Sequence, residues 1–269
     1  MSIIKNDFEK MNVTKIKKAK NNKNLTMITA YDALFAKLFE EIADIILVGD
    51  SLNMSFAGKP DTLSATLDQM IYHTNAVCAG APKAFVVLDM PFGTYINKDE
   101  ALTNAVKVYQ QTNAAAIKIE GGEDKADIVK HLTSNSIAVM GHIGLMPQYV
   151  RSEGGYKVRG KSQEDTQQLI RDAKAIEEAG AFCIVVEGVL SSAAQKITEA
   201  VNVPVIGIGA GNVTDGQVLV WSDMLGFFEE FKPKFVRHYL DGATLVKEAV
   251  NKYRDDVQTR AFPSKEEEY

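Results

Sequence analysis

Apolar residues in this chain gather into short unbroken runs, and several of these runs end on a side chain capable of chemistry. Ile45-Ile46-Leu47-Val48 leads straight into Gly49-Asp50-Ser51. Unbroken aliphatic runs of this length mark strands buried on both faces of a parallel sheet. A glycine after the run lets the backbone turn close to a ligand. The same pattern recurs downstream. Phe85-Val86-Val87-Leu88 stops at Asp89, and 115–117 leads into Lys118-Ile119-Glu120. Residues 137–140 end at Gly141-His142, and Cys183-Ile184-Val185-Val186 ends at Glu187.

Between these runs the apolar period lengthens to that of a helix. Residues 33–43 place Leu34, Phe35, Leu38, Phe39 and Ile42 on one face. Residues 66–79 are helical in period and are stopped by Gly80-Ala81-Pro82. Asn97 followed by Glu100, and Ser162 followed by Asp165, have the spacing of helix caps. They predict helices to about 112 and to Gly180; further helices are predicted over 125–133, 192–201 and 241–256. Strands are predicted at 25–30, 45–48, 85–88, 115–120, 137–142, 182–187 and 203–208, with a weak eighth at 224–228. Two long connections, 52–61 and 143–162, follow the second and fifth strands.

Strands alternating with helices, with no Pro/Gly/Ser-rich linker, predict parallel pairing with right-handed crossovers. Eight repeats favour closure, so the fold class expected is α/β, a (β/α)8 TIM barrel. It would be a single domain over 1–269, with an N-terminal helical arm (1–24) and a mobile charged tail (262–269). The length of 269 residues suits such a barrel, which typically takes about 250. Active sites of this fold lie at the carboxyl ends of the strands, where the polar strand-end groups converge.

Composition narrows the partners. A formal charge of −5 argues against nucleic acid. The basic run Lys15, Lys17, Lys18, Lys20 and Lys23 reads as a solvated face. No apolar stretch reaches the ~20 residues that cross a bilayer, and residues 1–7 lack the apolar core of a signal peptide. The two cysteines, Cys78 and Cys183, are far apart and fit structural thiols in a reduced compartment. The expectation is a cytoplasmic protein without a membrane partner.

Asp50, Asp89 and Glu120 are carboxylates on consecutive predicted strand ends. A single strand-end aspartate more often caps a helix or binds an amide. Three brought together repel one another unless a cation lies among them, and all-oxygen ligands favour Mg²⁺. Lys118 shares a side of its strand with Glu120; it pairs with the acids or holds an anionic oxygen. His142 is either structural or functional. Glu187 emerges from an apolar run, as a base does, or partners His142 or Lys118. Gly209-Ala210-Gly211 would cradle an anion or simply turn the chain. A cation among acids, with a lysine and a nearby base, suits deprotonation next to the carbonyl of a 2-oxo acid. The electrophile stays open. A catalytically silent binding barrel would lack one of the acids, and none is missing.

TAYD (29–32), VGDS (48–51), YHTNAV (72–77), LDMPFGTY (88–95), KIEGG (118–122), GHIGLMPQ (141–148), GGYKVRGK (154–161) and PVIGIGAGNVTDGQVLV (204–220) closely resemble the ketopantoate hydroxymethyltransferase family. That family belongs to the phosphoenolpyruvate mutase/isocitrate lyase group of barrels. The resemblance implies transfer of a hydroxymethyl group from 5,10-methylenetetrahydrofolate to C3 of 3-methyl-2-oxobutanoate. The product is 2-dehydropantoate, and the reaction is the first committed step towards pantothenate and coenzyme A. It implies one Mg²⁺ per subunit on Asp50, Asp89 and Glu120, and substrate contacts from Asp50, Ser51, Asp89 and Lys118. Glu187 would be the acid/base group, with His142 as the family's active-site histidine. A homo-oligomer, a decamer built as a pentamer of dimers, is implied as well. Met146 and Tyr149 depart from the family's usual threonine and smaller residue. The alternative is a Mg²⁺-dependent carbon–carbon lyase of the same group. Those enzymes typically carry a reactive cysteine on a mouth loop, whereas Cys78 and Cys183 fall in a predicted helix and strand.

Overall fold

A computed structural model describes residues 10–229 and 232–269. The chain divides into two compact units, Met1–Val220 and Trp221–Tyr269. The first is a closed parallel barrel in which eight strands pair in sequence order and the last pairs with the first. They are β1 Leu25–Thr29, β2 Ile45–Val48, β3 Val86–Asp89, β4 Ala116–Glu120, β5 Val139–Gly144, β6 Cys183–Glu187, β7 Val205–Ile208 and β8 Gly216–Leu219. Strands β2 to β5 are buried at every position, as their unbroken apolar runs require.

The helices begin where the capping signals lie. Thr66 and Gln69 form a reciprocal capping box on α4 (Leu67–Gly80). The Asn97 side chain accepts from the Glu100 amide at 2.9 Å and opens α5 (Lys98–Gln111). Ser162 accepts from the Asp165 amide at 3.0 Å and opens α7 (Gln163–Glu178). Each cap satisfies an amide that the first helical turn leaves without a partner. The remaining helices of this unit are α1 Val13–Lys18, α2 Ala33–Phe39, α3 Leu52–Ser55, α6 Ala126–Ser134 and α8 Ser191–Ala200.

The amino ends of the strands are closed by an apolar cluster that includes Leu25, Ile45, Phe85 and Phe182. α1 adds Ile16, fully buried in the same cluster. The predicted N-terminal arm is thus a short helix that plugs the barrel floor; its part before Lys10, including Phe8, lies outside the described residues. Lys20 departs from the solvated basic run. Its ammonium donates to the Thr198 carbonyl at 2.7 Å and to Asp215 Oδ2 at 2.8 Å, tying the chain beyond α1 to the barrel.

One expectation fails. The eighth strand is Gly216–Leu219, not 224–228, where Trp221–Met224 forms the short helix α9. The true strand holds Gly216 and the exposed Gln217, so no apolar run announces it. Gly216 is needed there because a Cβ would stand 2.5 Å from the Leu25 carbonyl oxygen of β1. The helix predicted over 33–43 is α2 and ends at Phe39. It buries Ala36 and Phe39, while Leu34 and Leu38, with Ile42 just beyond its end, are 78%, 64% and 75% exposed. Much of the predicted apolar face is therefore surface.

In the second unit, Trp221 and Phe227 pack edge to face at 5.5 Å, and α10 (Gly242–Thr259) carries exposed Leu245, Val246, Val250 and Tyr253. At its end, Ser264 and Glu267 hydrogen-bond each other in an exposed turn. Among the described residues, no helix is long and apolar enough to cross a membrane.

Candidate active site

The carboxyl ends of β2 to β6 bring the predicted residues to one place. Strand register pairs Asp89 with Lys118, Glu120 with His142, and Gly144 with Glu187. Asp50, Asp89, Lys118, Glu120 and His142 are all at most 3% exposed. Glu187 is 20% exposed at its side chain and lies on the open side. Ser51 sits at the start of α3, and its hydroxyl is 2.9 Å from the Tyr31 hydroxyl.

Lys118 is the hub. Its ammonium lies 2.8 Å from Asp89 Oδ1, 4.0 Å from Glu120 Oε1 and 2.9 Å from His142 Nδ1. His142 Nε2 in turn lies 3.3 Å from Glu187 Oε2. A chain of contacts thus runs from Asp89 to the partly exposed Glu187. Of the two alternatives left open for Lys118, the pairing with the acids is present at Asp89. His142 contacts both Lys118 and Glu187.

Electrostatics follow from burial. Removal from water pushes the Asp50 carboxyl well above the usual range, and the neighbouring Asp89 pushes it further. Glu120 is raised too, first by burial, with Lys118 opposing and Asp50 and Asp89 adding to the rise. Burial alone would depress the Lys118 ammonium, but Asp89, Glu120 and Asp50 together outweigh it and hold it above the ordinary lysine value. Burial, and then the Lys118 charge, lower His142, with Glu187 partly opposing.

One residue at the centre carries no signal in strand periodicity. Gln148, 4% exposed, comes from the irregular 145–162 connection. Its side-chain nitrogen donates to Asp50 Oδ2 and to the Met90 carbonyl, each at 2.9 Å. Its backbone N–H donates to Glu120 Oε2 at 3.0 Å. The buried Tyr95 hydroxyl donates to its Oε1. The motifs GHIGLMPQ and LDMPFGTY contain both residues, yet an amide and a phenol in loops imply no chemistry by themselves. Gly144 allows the connection to leave β5 as it does. Its φ is +98°, and a Cβ would stand 2.3 Å from the Glu187 carbonyl oxygen.

Gly209-Ala210-Gly211 has a local explanation. A Cβ on Gly211 would meet Ser191 Oγ at 2.3 Å, so tight packing against α8 is sufficient reason for this glycine.

Among the described residues, no three His, Cys, Asp or Glu side chains are placed as they stand to hold a metal ion together. The donors nonetheless suit a hard cation. Glu120 Oε1 is buried and accepts no hydrogen bond, and Asp89 Oδ1 meets only the Lys118 ammonium, off hydrogen-bond geometry. Buried carboxylate oxygens left without donors are costly unless a positive charge faces them.

Residues 10–265 match the family described as ketopantoate hydroxymethyltransferase. The chain is 83% identical over 269 residues to the 3-methyl-2-oxobutanoate hydroxymethyltransferase of Aliarcobacter butzleri (strain RM4018), covering 100% of both chains. Its fold is similar to that of phosphonopyruvate hydrolase in complex with oxalate and Mg²⁺ (TM-score 0.61, 13% identity, 96% of this chain and 93% of that one). It is also similar to 2,3-dimethylmalate lyase, a phosphoenolpyruvate mutase/isocitrate lyase superfamily member (TM-score 0.60, 16% identity, 91% and 88%). At such low identity these two structures bear on the barrel fold alone. By sequence over nearly its whole length, the chain belongs to the ketopantoate hydroxymethyltransferase family.

Proposed function

We propose that the chain transfers a hydroxymethyl group from 5,10-methylenetetrahydrofolate to C3 of 3-methyl-2-oxobutanoate. The product is 2-dehydropantoate, and the reaction is the first committed step of pantothenate and coenzyme A biosynthesis. The name of the Aliarcobacter butzleri relative supports the substrate. The observation that carries the chemistry is the buried group of Asp50, Asp89, Lys118 and Glu120 at the mouth of the barrel.

Asp50, Asp89 and Glu120 would hold one Mg²⁺. A divalent cation there supplies positive charge against the negative charge that develops on the keto oxygen. Lys118, kept protonated by its acidic neighbours, faces the anionic oxo acid, and the Ser51 hydroxyl offers a further hydrogen bond. Glu187 takes the C3 proton, being the acid of this group with an open side. His142 orients it. The donor's methylene carbon gains one bond to C3 and one to the oxygen of a water molecule as its two C–N bonds to the folate break; tetrahydrofolate leaves, its two nitrogens taking up the proton lost from C3 and one proton of the water. Burial of the surrounding acids excludes bulk water while negative charge builds on the substrate.

The lyase alternative gains nothing from the thiols. Cys78 lies in α4 and Cys183 in β6, both buried, and burial pushes both thiols up, away from reactive thiolates. Two buried free thiols suit a reduced, cytoplasmic setting. The exposed Leu34 and Leu38 of α2, with Ile42 just beyond its end, support a homo-oligomer, the decamer implied by the family. The test is direct. The protein with Mg²⁺, 3-methyl-2-oxobutanoate and the folate donor forms 2-dehydropantoate, detected by mass spectrometry; no product under these conditions overturns the reading.

A further inference from the structure

Three N–H groups meet the three mouth carboxylates, one each. Gln148 Nε2 donates to Asp50 Oδ2 at 2.9 Å, the Asp50 amide to Asp89 Oδ2 at 3.2 Å, and the Gln148 amide to Glu120 Oε2 at 3.0 Å. Each donor engages one oxygen of its carboxylate. Of the other oxygens, Glu120 Oε1 is buried and accepts no hydrogen bond, and Asp89 Oδ1 faces the Lys118 ammonium at 2.8 Å. Two of the three donors belong to Gln148.

The Gln148 amide has one permitted orientation. Its nitrogen faces two acceptors, Asp50 Oδ2 and the Met90 carbonyl, both at 2.9 Å. Its oxygen faces the Tyr95 hydroxyl, which donates to it. Turned over, the amide oxygen would confront a carboxylate and a carbonyl, with no proton among them. Asp50 Oδ2 and the Met90 carbonyl therefore set the amide's orientation, the Tyr95 hydroxyl holds its oxygen, and Gln148 fixes which oxygens of Asp50 and Glu120 are engaged.

A carboxylate oxygen that already accepts an N–H keeps one lone pair but is the poorer ligand, so such a carboxylate favours giving a cation its other oxygen alone over gripping it with both. Mg²⁺ takes six ligands in near-ideal octahedral geometry and keeps waters. Ca²⁺ takes six to eight oxygens and often grips both oxygens of one carboxylate. We propose that Gln148, held by Tyr95, is the positioning residue that makes Asp50 and Glu120 one-oxygen donors and so excludes Ca²⁺ from the site. This rests on the reading of Asp50, Asp89 and Glu120 as cation ligands given above.

The experiment measures binding, not turnover. The full chain, freed of metal, is titrated with Mn²⁺ while the spin-resonance signal of free Mn²⁺ is followed, and bound Mn²⁺ is competed off with Mg²⁺ or Ca²⁺. In the wild type, Mg²⁺ displaces Mn²⁺ at far lower concentration than Ca²⁺. In Gln148→Met the preference for Mg²⁺ over Ca²⁺ shrinks about tenfold or more, within the range of effects known for outer-shell partners. Tyr95→Phe shifts the preference the same way by less, and it carries the test if Gln148→Met does not fold. A role confined to packing weakens all three ions alike and leaves the ratio unchanged; that result overturns the inference. If the wild type leaves all the Mn²⁺ free, the cation reading itself falls, and this inference with it.

Discussion

Lys118 Nζ lies 2.9 Å from His142 Nδ1, and this contact decides which imidazole nitrogen carries the proton. An ammonium only donates, so Nδ1 must accept. The neutral ring then bears its hydrogen on Nε2, which lies 3.3 Å from Glu187 Oε2. Burial and the Lys118 charge lower the imidazole's pKa, so the ring is neutral at pH 7. Nitrogen-15 NMR of the resting protein tests this: the His142 signals should be those of the Nε2–H tautomer. Lys118→Met removes the donor and frees the tautomer to change; an imidazolium in the wild type at pH 7 contradicts the assignment.

The acid limb of stability has a specific contributor. Burial alone would raise Asp165, but Arg159 and the amide of Gly160 overcome this and hold its carboxyl below the usual range. Arg159 donates to Asp165 Oδ1 from Nε at 3.0 Å and from Nη2 at 2.7 Å. A depressed folded-state pKa gives stability that is fully present above the unfolded aspartate value, ~3.9. That stability is lost as pH falls through the folded value. Asp165→Asn should cost roughly 1–2 kcal/mol near neutral pH in denaturant melts, after discounting for its partial exposure. The cost should shrink towards pH 3. A cost that grows as pH falls would contradict the sign.

The exposed stripe of α2 predicts an assembly defect. Leu34→Glu with Leu38→Glu changes a surface of this chain taken alone, so folding should survive. Sedimentation should show smaller particles than the wild type. An unchanged oligomer would place the interface elsewhere.

Most of the barrel and its acids were legible because both rest on local rules. Runs such as 45–48 and 183–186 read as strands because they are short, rich in β-branched residues and bounded by polar or glycine positions, and caps such as Asn97 and Ser162 mark helix starts in three residues. The strand-end acids converge because parallel strands all point one way. β8 was not legible, since Gly216 holds its place by close approach to β1 and Gln217 is exposed, with its side chain bonded to the preceding loop, so no apolar run marks the strand. The outward turn of Leu34, Leu38 and Ile42 was hidden because periodicity reports that a face is apolar, not what it meets. Gln148 and Tyr95 were missed for a third reason. They act through hydrogen bonds between two loops, and no spacing rule encodes contacts 53 residues apart.

The central claim is that Glu187 removes the C3 proton of the oxo acid within a site whose charge is balanced at Asp50, Asp89 and Glu120. Proton NMR in deuterated water, with Mg²⁺ and 3-methyl-2-oxobutanoate but no folate donor, tests it directly. The wild type should wash out the C3 hydrogen, and Glu187→Gln should slow this about 100-fold or more while still binding the oxo acid. Exchange in Glu187→Gln at the wild-type rate would contradict the account.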